Sequence, residues 1–370
     1  MPEPEFSAEL RPYLLAPDNF TPPARTPWGG RRIAAEYKAA VGLAAGLQGS
    51  AVGESWELSF GPELPSRTVP TGNLEPGPFL YELARANAPG FLGEEAKLGA
   101  SALLVKWLDA ADDLSVQIHP DLSDPGLASD ETGKPECWYI VAADPGAGVY
   151  LGLQAEVDAS AMRHALETGA DVSRLLRFQP VTPGDFFLLP PGLPHAVGRG
   201  VTMIEPQYIY PGKKGVTLRY WDWNRRYDAN GKLDAGGRSR ELHVERAIAV
   251  TDWVQASDPA WLARKRSALG PALLTAAASC QVLCGSEASC AVVSNYLRAA
   301  RLSGTGSQRL PDWGTLRALT VIDGAVTLRG AFGEVRVPRG ITAALPAGLV
   351  ALEGQLEAAH AIVSSVVPFA

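Results

Sequence analysis

Cysteine is scarce, with four in 370 residues. Cys137 stands far from Cys280, Cys284 and Cys290, and the chain is large. A disulfide-stapled secreted scaffold is therefore excluded, and reduced thiols in the cytosol are expected. The run C-x3-C-x5-C at 280–290 has no histidine near it and is set among Ala and Ser, so a thiolate metal site is not expected there. Basic blocks are also missing: 33 Lys and Arg against 40 Asp and Glu give a net charge of −7. That argues against nucleic acid or an anionic membrane as the main partner. No uninterrupted apolar stretch is long enough to span a bilayer. The opening Met1-Pro2-Glu3-Pro4-Glu5 carries acids and prolines where a signal peptide needs a basic end and an apolar run, so no leader is expected. What remains is a globular chain long enough for two ordinary domains, with a small molecule as the expected partner.

The most informative segment present is Gly184-Asp185-Phe186-Phe187-Leu188-Leu189-Pro190-Pro191-Gly192-Leu193-Pro194-His195. It reads as strand, tight turn, strand. Pro190 fixes φ and Gly192 admits a positive φ, which sets the turn. His195 then opens the next strand. The spacing G-x5-P-x-G-x2-H is similar to the second metal motif of the cupin superfamily, in which that histidine binds a divalent cation inside a small β-barrel.

A second signal lies upstream. In Leu114-Ser115-Val116-Gln117-Ile118-His119-Pro120-Asp121, Gln117 and His119 are two apart and share one side of a strand. In Gly133-Lys134-Pro135-Glu136-Cys137-Trp138-Tyr139-Ile140, Glu136 precedes an aromatic, β-branched run typical of a strand. Two histidines (His119, His195), one carboxylate (Glu136) and one amide oxygen (Gln117) suit zinc, one per chain.

Together these blocks resemble type I mannose-6-phosphate isomerases, the zinc-dependent phosphomannose isomerases, and in particular their shorter bacterial branch. The resemblance is carried in order by Trp28-Gly29-Gly30, Gly53–Ser59, Leu104–Ala110, Leu114–Asp121, Gly133–Tyr139, the His195 motif and Arg219–Arg225. It fades through Arg240-Glu241-Leu242-His243. It implies Gln117, His119, Glu136 and His195 as metal ligands, Arg219 in the catalytic pocket, and Lys106 and Ser115 at the substrate phosphate. Two departures stand out: Gln207 to Gly215 is not the small polar segment usual in the short branch, and there is extra length between 225 and 310. Lys213 and Lys214 in the first of these read as a solvated turn.

The implied fold is mainly β: two cupin-type (jelly-roll) β-barrels, with a few helices inserted in the first. The expected organisation is a Pro-rich lead-in over 1–24, a metal-binding catalytic domain over 25–240, and a linker helix with a second cupin-like domain over 241–370. Helices are expected over 78–98, from Asp158 to Leu166 with Asp158 as N-cap and Gly169 beyond the end, and across Leu242 to Val250. His164 falls on the second of these among charged residues and reads as a surface group. Gly340–Ala351 repeats the G-x5-P-x-G-x2 frame with Ala351 where the first copy has His195. The second domain is therefore expected to carry no metal and to cover a face or edge of the first. A hairpin turning at Asp323-Gly324 is expected within Leu319–Leu328.

The chemistry implied is aldose–ketose isomerisation between mannose 6-phosphate and fructose 6-phosphate. A proton moves between C1 and C2 through a cis-enediol(ate), a cation stabilises charge on O1 and O2, and cationic groups hold the phosphate. Lys134, two residues before Glu136, is expected at the catalytic centre, and Lys106 is a charge inside an apolar run, costly unless it faces a site. The base stays open at this point among Lys134, Glu205 and a metal-bound water; Glu205 is otherwise expected to contact substrate. Alternatives from the residues alone are another sugar-phosphate isomerase, an iron-dependent cupin oxygenase with two His and one carboxylate, and a non-catalytic sugar-binding cupin. Gln117 and the lysines weigh against the second, and the intact ligand set against the third.

Overall fold

The computed structural model describes residues 9–42, 50–70 and 75–368; Met1–Glu5, read above for a leader, fall outside them. The described chain is mainly β and cupin-like, with short helices. No described helix is long and apolar enough to cross a membrane.

Two antiparallel sheets face each other in the first barrel. One has six strands in the spatial order Arg266–Ala268, Asp185–Leu189, Glu136–Ala143, Val201–Tyr208, Leu103–Asp109, Glu54–Leu58. The other has five, in the order Leu218–Trp221, Val116–Ile118, His195–Val197, Gly148–Leu153, Leu176–Pro180. Strand side chains alternate between faces, and here both faces of the six-stranded sheet are covered. Val105, Trp107, Cys137, Tyr139 and Ile204 point outward to a core shared with Leu316, Ala318 and Ile362 of the C-terminal barrel. Leu108, Trp138, Ile140, Phe187 and Met203 point inward and fill one end of the barrel with Val149 and Val197. Burial on both faces explains why Leu103–Asp109 and Glu136–Ile140 read as nearly continuous apolar runs. On the five-stranded sheet, Val116, Ile118, Leu218 and Tyr220 point outward under the helices. Gln117 and Arg219 therefore point inward.

The helix Ala159–Thr168 starts where Asp158 accepts the Ala161 N–H at 2.8 Å and ends at Gly169, φ 69°. It buries Met162 and Ala165 and leaves His164 exposed. The 78–98 region folds as two helices, Leu80–Ala86 and Ala88–Leu92, and a 3₁₀ segment, Glu94–Leu98. Asn87 breaks the run by capping the second helix through Gly90 N–H. A further helix, Val244–Val250, lies against the outer face of the five-stranded sheet.

The C-terminal barrel is one nine-stranded sheet, dominated by Leu297–Arg309, Arg317–Gly330 and Glu353–Val366. Tyr13–Leu15 joins it by pairing with Ala343 and Ala344, while Arg266–Ala268 crosses the other way to pair with Asp185–Phe187. The Asp323-Gly324 pair does not turn a hairpin. Arg317–Gly330 runs on as a single strand along Glu353–Val366, and the register slips on both sides of Asp323. Gly324 takes φ 66° inside the strand, so the dipeptide makes a bulge. A continuous partner strand overrides the local turn signal, and the reversal comes later, between Gly330 and Gly333. Ala351 lies in the turn before Glu353–Val366, also at positive φ, 52°.

Buried polar contacts tie the barrels together through the apolar interface. Lys38 Nζ donates to both Glu57 oxygens at 2.8 Å and to the Gly340 carbonyl at 2.7 Å. Glu57 also accepts from Ser55 at 2.6 Å and from Thr342 at 2.9 Å. The Tyr139 hydroxyl and His360 Nε2 lie 2.8 Å apart. Arg317, fully buried, donates to the carbonyls of Pro311, Pro346 and Leu349 and so pins the loops of the C-terminal barrel.

Candidate metal centre and cavity

The inward faces of the two sheets meet at the polar end of the first barrel. Register sets who faces whom. On the five-stranded sheet, Gln117 is the Cα partner of His195 on one side and of Arg219 on the other. On the six-stranded sheet, Gln207 partners Glu136, Glu205 partners Lys106, and Lys106 partners Trp56. The turn before His195 brings that residue to the first position of its strand, and Gly192 does take positive φ, 79°. Gly184, φ 93°, is also required: a Cβ there would meet the Gly270 carbonyl at 1.9 Å.

His119, Glu136 and His195 each offer one ligand atom, all within 4.8 Å of one another, and all three side chains are buried. His119 Nδ1–H donates to the Val216 carbonyl at 2.9 Å, and His195 Nδ1–H to the Leu193 carbonyl at 2.8 Å. A carbonyl only accepts, so each neutral ring keeps its proton on Nδ1 and turns a bare Nε2 lone pair inward. Those two atoms face Glu136, His119 Nε2 at 3.1 Å from Oε1 and His195 Nε2 at 3.7 Å from Oε2. Among the described residues, His119 Nε2 and Glu136 Oε2 have no hydrogen-bond partner. Burial, then Lys134, pulls the His119 imidazole down from its ordinary value; burial and His119 pull His195 down to about 3. The His195 ring is thus unprotonated. Two buried acceptors without a donor, His119 Nε2 and Glu136 Oε2, are costly, and a divalent cation would satisfy them. The two imidazoles and the carboxylate fit a metal ion of borderline softness; beside them the Gln117 amide nitrogen, Nε2, lies 3.5 Å from His195 Nε2.

A cavity of about 980 Å³ opens beside this group. Its lining includes Lys106, Ser115, Gln117, Lys134, Glu205 and Arg219, so all nine residues singled out in the sequence come to one place. Lys134 Nζ is 2.7 Å from Glu136 Oε1. Burial works to lower its pKa, but Glu136 and Glu205 outweigh this and raise it. For Glu136, burial works upward and is outweighed chiefly by Lys134, which holds the carboxyl well below its usual range. Lys134 is therefore a cation. Glu205 accepts from Trp138 Nε1 at 2.9 Å and from Gln207 Nε2 at 2.7 Å, and burial, then Glu136, pushes it up to about 8. Lys106 Nζ is 3.5 Å from Glu54 and 4.5 Å from the centre of the Trp56 ring. Arg219 Nε donates to Ser115 Oγ at 3.2 Å, and Nη1 donates to the Glu241 carbonyl at 2.8 Å. Burial and Arg240 pull its pKa down to about 10. Arg225 turns away, to Asp222 at 2.7 Å and Asp112 at 2.8 Å.

Glu54, Trp138 and Gln207 belong to the site and carried no role in the sequence reading. Gln207 had a legible signal: it is two residues after Glu205 and so shares its face. Lys214, by contrast, sits in solvent and pairs with Asp130 at 3.2 Å.

No family model matches the chain. It is 34% identical over 237 residues to mannose-6-phosphate isomerase of Streptococcus mutans, covering 64% of this chain and 68% of that protein. It is 38% identical over 151 residues to mannose-6-phosphate isomerase ManA of Bacillus subtilis, covering 40% and 44%. Among solved structures, the mannose 6-phosphate isomerase from Bacillus subtilis superposes with a TM-score of 0.69 at 23% identity, over 95% of this chain and 99% of that one. The apo form of the Salmonella typhimurium enzyme gives 0.64 at 14% identity, over 96% and 99%. These likenesses in structure extend to the C-terminal barrel, and the identity over two thirds of the Streptococcus protein adds the family: this chain belongs to the mannose-6-phosphate isomerases.

Proposed function

We infer that this protein interconverts mannose 6-phosphate and fructose 6-phosphate, with one zinc ion held by His119, Glu136, His195 and the amide oxygen of Gln117. The observation that carries the reading is the buried set of two histidine Nε2 atoms and Glu136, beside a cavity lined by Lys106, Lys134 and Arg219. Bound there, zinc supplies Lewis-acid stabilisation of negative charge on the sugar's O1 and O2. Every other part of the reaction falls to side chains. Lys134 keeps Glu136 ionised and adds positive charge beside the reacting carbons. It is committed to that carboxylate as a cation, so proton transfer between C2 and C1 is assigned to Glu205, a buried carboxyl with a raised pKa. Arg219, oriented by Ser115 and the Glu241 carbonyl, stabilises charge on the developing enediolate. Lys106 and Ser115 hold the phosphate, for which Lys106 exchanges part of its pairing with Glu54.

We assign this work to residues 25–240 and a supporting role to 241–370. All the site residues lie in the first segment, and the second covers the outward face of its six-stranded sheet. Four free thiols suit a cytoplasmic setting. The deciding experiment is a coupled assay with mannose 6-phosphate on protein before chelation, after it, and after zinc is restored. Activity lost and regained in step with one equivalent of zinc is expected. Turnover that survives complete metal removal, or oxygen uptake in its place, would sink the assignment.

A further inference from the structure

We propose that Gln207 is a positioning residue that fixes the metal-binding carboxylate and the proton-transferring carboxylate relative to each other. Its Nε2 donates one hydrogen to Glu136 Oε1 and the other to Glu205 Oε2, both at 2.7 Å. An amide nitrogen has two hydrogens, so both are committed. Glu136 also pairs with the Lys134 ammonium and offers no donor when ionised, so the amide presents its nitrogen to that side. Gln207 is 1% exposed, Glu136 0% and Glu205 3%. Without the bridge, two buried carboxylates would share a wall with fewer donors than acceptors. Lys134 reaches Glu136 and Trp138 reaches Glu205, but among the described residues only Gln207 donates to both. The backbone makes the bridge possible: Gln207 is the cross-strand partner of Glu136 and lies two residues beyond Glu205 on one strand.

The side chain at 207 must be long enough to span both groups, must donate twice, and must carry no charge that competes with the metal. Met has the length and no donor. Asn has the donors and is one carbon too short to reach both. Groups that orient a metal ligand from behind change metal affinity and activity by about 10–100-fold when removed.

The inference rests on the functional reading above, and the test separates the two. Zinc affinity of apoprotein is measured by competition with a chromophoric chelator for wild type, Gln207→Met and Gln207→Asn. The kcat and KM for mannose 6-phosphate and the melting temperature of the apoproteins are measured alongside. Expected for both variants are a 10–100-fold loss of zinc affinity, a kcat lowered by about 100-fold, and a KM within about threefold of wild type. A residue that merely fills space would shift the melting temperature and leave zinc affinity unchanged. Zinc affinity and kcat both within threefold of wild type in Gln207→Met overturn the proposal. If that variant does not fold, the same thresholds apply to Gln207→Asn. A wild-type protein that binds no zinc or does not isomerise the sugar overturns the functional reading instead.

Discussion

Lys38 and Glu57 make the sharpest stability test in the molecule. Lys38 is 0% exposed and Glu57 2%, and the lysine spends its three donors on two carboxylate oxygens and one carbonyl. At 2.8 Å and an effective dielectric of about 20, the mutual attraction is about 6 kcal/mol. Desolvation of the two ions offsets most of that, at several kcal/mol each. Removing one partner alone keeps the cost and loses the gain. Lys38→Met leaves Glu57 buried with only the Ser55 and Thr342 hydroxyls, each worth about 1 kcal/mol net, and strips the Gly340 carbonyl of its donor. The expected loss is about 3–5 kcal/mol, as for other broken buried pairs. Lys38→Met combined with Glu57→Leu removes both charges and should cost less than about 2 kcal/mol. The measurement is a double-mutant cycle by urea unfolding, followed by tryptophan fluorescence and far-ultraviolet circular dichroism with coincident transitions required. A single variant costing under about 1 kcal/mol, or a double variant costing the sum of the singles, would refute the reasoning.

The remaining predictions concern the site and two buried titrating groups. His195→Ala should lose zinc affinity by more than about 100-fold and lose nearly all turnover. Its apoprotein should keep a wild-type circular dichroism spectrum, and added zinc should no longer raise its melting temperature; retention of one tightly bound zinc would count against the ligand set. Lys106→Ala should mainly raise KM and Arg219→Ala mainly lower kcat, because the phosphate is remote from the reacting carbons; the reverse pattern in steady-state kinetics would exchange their roles. Burial, then Arg301, pulls the His360 imidazole down to about 3. Its contribution to stability is present above the unfolded value near 6.5 and is lost as pH falls toward 3. Between pH 7 and pH 4 wild type should lose roughly 3 kcal/mol more than His360→Gln. Glu95 behaves with opposite sign. Burial pushes it up to about 7, so its contribution is present below pH 4.5 and lost as pH rises through 7, again by roughly 3 kcal/mol, a slope that Glu95→Gln should flatten in urea titrations.

Much of the site was legible because its signals are local. The Pro190-x-Gly192 turn fixes His195 at a strand start, and the two-residue spacing of Gln117 and His119 and of Lys134 and Glu136 needs no tertiary knowledge. The helix after Asp158 was equally local, set by a cap at one end and a glycine at the other. What was not legible depended on partners distant in sequence. Asp323-Gly324 has the composition of a turn, and only the long strand Glu353–Val366 alongside makes it a bulge. Lys38 looks like a surface lysine until Glu57 and Gly340 enclose it. Gln207 read only as the start of a segment that departs from the short branch, although its parity with Glu205 already placed it on the inward face. Lys134 was open as a base because its pKa also depends on burial and on Glu205, which only the fold brings near.

Gln117 is flanked in register by His195 and Arg219 on neighbouring strands. Strand side chains reverse direction at every residue, so a slip of one position between these strands would send the displaced groups to the opposite face of the sheet. No partial version of the constellation exists: a molecule either pairs these strands correctly or presents no complete nest of ligands. Uptake of the proposed zinc would therefore report correct chain pairing. In a sample refolded from denaturant, turnover per chain should scatter with the quality of refolding, while turnover per bound zinc stays constant.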